Sequence, residues 1–113
     1  MITVLCGANA YEQKYYFNED FNGLPAAIKD ELHIICVLFT EEIGGIFTIS
    51  FDEKGEVFLS TNADEEDILY DEIGSALMIK EVQRKRRKLF ESLETFYKVF
   101  VLHDTSVLLE EED

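Results

Sequence analysis

Between Ile79 and Phe100, the apolar residues Ile79, Val82, Leu89, Leu93, Phe96 and Phe100, with Arg86 among them, recur at alternating spacings of three and four. That is the repeat of one helix face, and it is also the pattern of a seam along which helices pair. The opposite face is polar throughout: Lys80, Arg84, Arg87, Lys88, Glu91, Glu94, Thr95 and Lys98. Phe90 and Tyr97 flank the seam. A chain with such a stripe must cover it, because large apolar patches left in water mark interfaces. Two covers are available, the chain's own sheet or the same seam of a second copy. The expectation is a homodimer, with Arg86 as the single polar member that sets register at some expense of stability.

The rest of the chain supplies material for a sheet. Residues 2–8 form a short apolar run, and residues 11–17 (YEQKYYF) read as a second strand holding Tyr11, Lys14 and Tyr15. Asn9–Ala10 leaves room for a turn, and residues 18–23 have loop composition. Pro25 suits the first position of a helix, where its missing N–H costs nothing. From there Ile28, Leu32, Ile35, Cys36, Phe39 and Ile43 follow helical spacing up to Gly44, a natural helix stop. Residues 33–41 are apolar on nearly every side and rich in strand formers, so a strand competes there with the preferred helix. Residues 46–51 alternate cleanly, and the turn ending in Gly55 leads to a returning strand, which makes a hairpin at 45–62. Asn62 with Glu65 reads as a capping box opening the last helix. Leu69, Ile73, Ala76 and Leu77 form an apolar face on a different side from the seam, so a kink is expected at Gly74–Ser75.

The fold expected from this pattern is α+β. An antiparallel sheet of three or four strands is packed by a helix near 25–43 and a long, kinked C-terminal helix near 66–101. The length fits one domain, residues 1–102, followed by an acidic tail at 103–113.

Charge limits the partners. The net charge is −14, yet residues 80–88 hold six of the ten cations. The remaining acidic body repels phosphate backbones, so nucleic acid is not an expected partner. The turn Arg84–Lys88 fits instead an acidic protein surface, including that of a second copy. No apolar run reaches the ~18 residues of a membrane helix, and residues 1–6 are too short and lack the charged n-region expected of a secretory signal. A cytoplasmic protein with reduced Cys6 and Cys36 is expected.

Few residues suggest chemistry. His33 sits in the apolar run and reads as a core or boundary histidine, and His103 stands beside Asp104 with no nucleophile elbow in the sequence. The acidic cluster at 64–72 lacks the spacing of a calcium loop, and its simplest role is to complement a helix dipole. Neither glycine-rich nucleotide loop is present, and no cofactor is implied.

The stretches YEQKYYFNEDFNGLP, VLFTEEIGG and DEIGSALMIKE together resemble a family of small uncharacterised bacterial proteins, a domain of unknown function, over most of the chain. That resemblance implies no activity and no catalytic residue. The order helix, strand pair with a glycine turn, helix in residues 25–80 is fainter in its likeness to roadblock-type dimerisation modules, whose further strand is missing here. The expected function is a small non-enzymatic interaction or scaffold protein that self-associates through its C-terminal helix. The alternative is a small metal-binding protein or enzyme using the carboxylates of 64–72.

Overall fold

A computed structural model describes residues 1–103. Four strands, β1 (Thr3–Asn9), β2 (Lys14–Phe17), β3 (Ile46–Phe51) and β4 (Val57–Asn62), form one antiparallel sheet in the order β2-β1-β3-β4. Three helices accompany it: α1 (Ala26–Ile43), α2 (Glu72–Lys85) and α3 (Arg87–Phe100). The expected α+β architecture is present, with the hairpin where the alternation placed it.

Alternation decides what faces the helices. On β3, Phe47, Ile49 and Phe51 are fully buried, and they pair with Thr61, Leu59 and Val57 on β4. On β1 the register shifts between Val4 and Cys6, so that Leu5 and Cys6 are both fully buried. A bulge of this kind re-aims side chains that strict alternation would send to opposite faces. The helices dock through aromatic stacking. Phe39 of α1 lies on Phe47 with ring centroids 4.2 Å apart, and Tyr97 of α3 lies on Phe51 at 4.4 Å. Phe21, from a short 3-10 turn at Glu19–Phe21, closes the same layer 5.5 Å from Phe51.

The ambiguous stretch 33–41 is helical. Pro25 precedes the helix as its extended N-cap (φ −56°, ψ 146°), one position outside its expected place, and Gly44 ends it at φ 83°. The β-rich run is accommodated because α1 buries Leu32, Ile35, Cys36 and Phe39 while Ile34 and Leu38 remain in water. The second strand is shorter than expected: Tyr11 lies in the β1–β2 turn, where Asn9 Oδ1 accepts from the Tyr11 and Glu12 N–H groups.

Two expectations about the C-terminal half need correction. No helix starts at Asn62–Glu65. Strand β4 runs through Asn62, and residues 63–70 form a loop held from outside. Tyr11 Oη donates to Asp67 Oδ2 (2.6 Å) and accepts from the Asp64 N–H (3.1 Å). That carboxylate pushes the Tyr11 phenol above its ordinary pKa. The N-cap is Asp71, whose Oδ1 accepts from the Gly74 N–H at 2.8 Å. Replacing Asp71 by Ala is expected to cost about 1 kcal/mol, read as a lower urea midpoint at unchanged slope. An unchanged midpoint would refute the capping role.

The kink is likewise not at Gly74–Ser75. Gly74 belongs to the first turn of α2, and Ser75 is buried with its Oγ 2.7 Å from Tyr70 Oη. The helix breaks instead at Arg86 (φ −111°, ψ 23°). Neither proline nor glycine stands there; the five consecutive cations Arg84–Lys88 do. Like charges three and four apart weaken a helix, and the break lets Arg86 Nη1 reach Glu31 on α1 at 2.7 Å.

Candidate interaction surface

The break divides the 79–100 seam, and the chain's own sheet takes most of it. Leu89, Phe90, Leu93 and Tyr97 are buried, while Ile79, Val82 and Phe96 are half-buried against the same core. These residues are therefore already covered within one copy, and the rival reading of the seam describes the fold. Arg86 is half-buried in its pair with Glu31 rather than set between two seams. Phe100 stays exposed, its ring tilted against Phe96 with centroids 4.8 Å apart. Arg84, Arg87 and Lys88 are exposed. The seam looked free because the heptad pattern records which face is apolar and not what covers it.

The second apolar face shows the reverse. Leu69, Ile73 and Leu77 are exposed, Ile73 at 77 % and Leu77 at 63 %. Leu77 lines a groove between α1 and α2 together with Leu38, which is 53 % exposed. The groove continues over Ile35, Ile43, Met78 and Val82. Its walls are two antiparallel helices. The Arg86–Glu31 pair ties the end of α2 to the first half of α1, and Gly45, just past α1, packs against Tyr70 at the start of α2. A Cβ on Gly45 would fall 2.6 Å from Tyr70 Cε1 and 2.7 Å from the Asn62 carbonyl oxygen, and φ is +70° there, so only glycine permits this approach.

This antiparallel arrangement sorts charge along the helix pair. One end gathers Glu41, Glu42, the loop acids Asp64–Asp67, Asp71 and Glu72; the other gathers the five cations Arg84–Lys88 beside Asp30, Glu31, Glu81 and Glu91. At the basic end Glu81 serves both Arg84 (2.8 Å) and Lys85 (3.1 Å). Those hydrogen bonds, that of Arg84 foremost, hold the Glu81 carboxyl below its usual value. Among the described residues, Arg87 and Lys88 have no carboxylate within 4.0 Å. Arg87 and Glu91, and Glu94 and Lys98, stand four apart on α3 without pairing; Glu94 Oε2 instead accepts from the Val57 N–H at 2.8 Å, fastening α3 to the start of β4.

The candidates for chemistry are dispersed. His33 is exposed rather than buried, its ring stacked on Tyr15 at 4.1 Å. His103 is exposed past α3, and Asp104 with the rest of the acidic tail lies outside the described residues. In the acidic cluster, Asp67 and Asp71 are engaged by Tyr11 and by the N-cap of α2. Among the described residues no three His, Cys, Asp or Glu side chains converge as metal ligands, and no helix is long and apolar enough to cross a membrane. Cys6 and Cys36, thirty positions apart and expected as reduced thiols, bring their sulfurs to 3.8 Å. Their shared apolar settings were the only signal, and the bulge that turns Cys6 inward has no signature in the sequence.

No curated protein and no solved structure matches the chain. The pattern of the Family of unknown function (DUF6145) matches residues 2–105. The chain belongs to this family, with its four-stranded sheet, its three helices and its charge-sorted helix pair.

Proposed function

We propose that the protein is a non-enzymatic cytoplasmic interaction module that works as a homodimer through the outer face of α1 and α2. The observation that carries this reading is the uncovered stripe around Leu38 and Leu77, set between an acidic end and a basic end. Closed dimers use one patch twice, related by a two-fold axis. An axis through the middle of this helix pair sets the acidic end of each copy against the basic end of the other. Arg87 and Lys88, without carboxylates of their own among the described residues, then face Glu41, Glu42 and the loop acids of the second copy. The acidic partner for the basic turn 84–88 is thus the chain itself, with the apolar stripe between supplying most of the affinity.

Light scattering on the parent and on Leu38→Glu/Leu77→Glu tests the proposal. The expected result is a dimeric parent and a folded, monomeric variant. Dimerisation of the parent should weaken as salt shortens the Debye length to about 10 Å and below. A parent that is monomeric at high micromolar concentration overturns the proposal, and a variant that remains dimeric moves the interface off this face.

A further inference from the structure

Cys6 and Cys36 come from different layers of the fold, yet their sulfurs stand 3.8 Å apart and both residues are fully buried. Two local features bring them together: the bulge in β1 that turns Cys6 inward, and the helical phase of α1 that places Cys36 on the face shared with Leu32 and Phe39. Tyr15 of β2 belongs to the same cluster. Its ring stacks on His33, and its hydroxyl is buried with no hydrogen-bond partner. The ring also lines a cleft between the β1–β2 turn and α1, together with Lys14, His33, Val37 and Thr40. Tyr15 therefore adjoins the thiol pair and also lines the cleft.

We propose that Cys6 and Cys36 form a modification site, a dithiol that hydroperoxides entering by the Tyr15 cleft convert to an intramolecular disulfide. In the first step a cysteine sulfur, as thiolate, attacks one oxygen of the peroxide. The O–O bond breaks, a sulfenic acid forms, and the leaving oxygen takes up the proton the thiol gave up, departing as water from hydrogen peroxide or as an alcohol from an organic hydroperoxide. In the second step the other sulfur attacks the sulfenic sulfur, the S–O bond breaks, and hydroxide takes the thiol proton to leave as water. Two electrons pass from the two thiols to the peroxide, and one S–S bond forms.

The environment favours the product. Two thiols and a phenol share an apolar pocket with only weak sulfur hydrogen bonding between them, and unmet polar groups in such a place are costly. Closure removes both S–H donors and leaves an apolar bridge. Burial also sets the order of rates. The contact with Cys6, and then burial, raise the Cys36 thiol well above its ordinary value, and burial raises the Tyr15 phenol likewise. Thiolate is therefore scarce at Cys36, so peroxide attack by that sulfur is slow and rises with pH. The second thiol is already in place, so closure follows before further oxidation of the sulfenic acid. The bridge joins β1 to α1 across residues 6–36, and a loop of that length stabilises by limiting the unfolded chain.

The test uses the full chain, fully reduced, with excess hydrogen peroxide at neutral and at mildly alkaline pH. Intact mass, peptide mapping and thermal melting are followed. The expected product is a single chain, not cross-linked to another and lighter by two hydrogen atoms, with a Cys6–Cys36 linked peptide, formed faster at the higher pH. Its melting temperature should lie on the order of 10 °C above the reduced form, and a dithiol reductant should reverse the change. Cys36→Ala, which keeps the core apolar, should instead gain one oxygen at Cys6. Should that variant not fold, the linked peptide from wild type still decides. Native protein that keeps both thiols, or forms the link only in denaturant, overturns the proposal. So does a link between two chains, or a bridged protein that melts no higher than the reduced one.

Discussion

Phe51→Ala is expected to lower the unfolding free energy by about 3–5 kcal/mol, a large share of the ~5–15 kcal/mol that holds a domain folded. Phe51 is fully buried and stacks on Tyr97 at 4.4 Å and on Phe21 at 5.5 Å. One ring therefore joins the sheet to α3 and to the 3-10 turn. Its removal leaves a cavity that three separate elements would have to move to fill, and that is the situation in which such a substitution costs most. Phe58, on the open face of the sheet and opposite Ser50, provides the comparison; it is half-buried, and its truncation should cost markedly less. Urea unfolding of the two variants measures the difference. Equal losses would mean that α3 does not dock on this face.

Leu93→Glu is expected to abolish folding at neutral pH. Leu93 is fully buried in the middle of α3, within the core. An unpaired carboxylate there combines lost apolar burial with a desolvation cost of several kcal/mol. The matched substitution Leu77→Glu places the same charge on the exposed face of α2, where surface changes stay within about 0.5 kcal/mol. Circular dichroism of the two variants separates the surfaces: a loss of structure for Leu93→Glu beside a native spectrum for Leu77→Glu. A folded Leu93→Glu chain would return the 79–100 seam to the list of association surfaces.

Periodicity made most of the fold legible and said little about the surface. The hairpin was readable because Thr48 and Ser50 alternate with Phe47, Ile49 and Phe51, and Gly55 closes its turn. Helix α1 was readable from spacing, with Pro25 and Gly44 as its bounds. The start of α2 was misread because two plausible caps stand in line. Asn62 and Glu65 match a capping box, but Asn62 is already committed to the β3–β4 ladder, a fact of pairing that no local pattern carries. The break at Arg86 was hidden for a related reason. Glycine is the usual mark of a kink, whereas here a run of cations meets a carboxylate on another helix. The apolar residues of 66–100 were found correctly, but the covered and open faces were exchanged. Which face the sheet covers depends on where α3 turns after Arg86, and that turn is a tertiary event.

The sheet order β2-β1-β3-β4 also dictates a sequence of events in time. β1 and β2 are joined by a short turn, as are β3 and β4, so each hairpin closes locally and fast. The central contact is different: Ala8 pairs with Phe47 and Asn9 with Ile46, and the whole of α1 lies between them. No part of the core between the two hairpins exists until that long segment has been made and folded back. On a ribosome adding about 5–20 residues per second, the inner edge of β1 therefore waits some seconds with its N–H and C=O groups unpaired. During that interval it is open to pairing with any other extended chain. The nascent protein is most vulnerable at β1, before β3 emerges, and helix α1 sets the length of the wait.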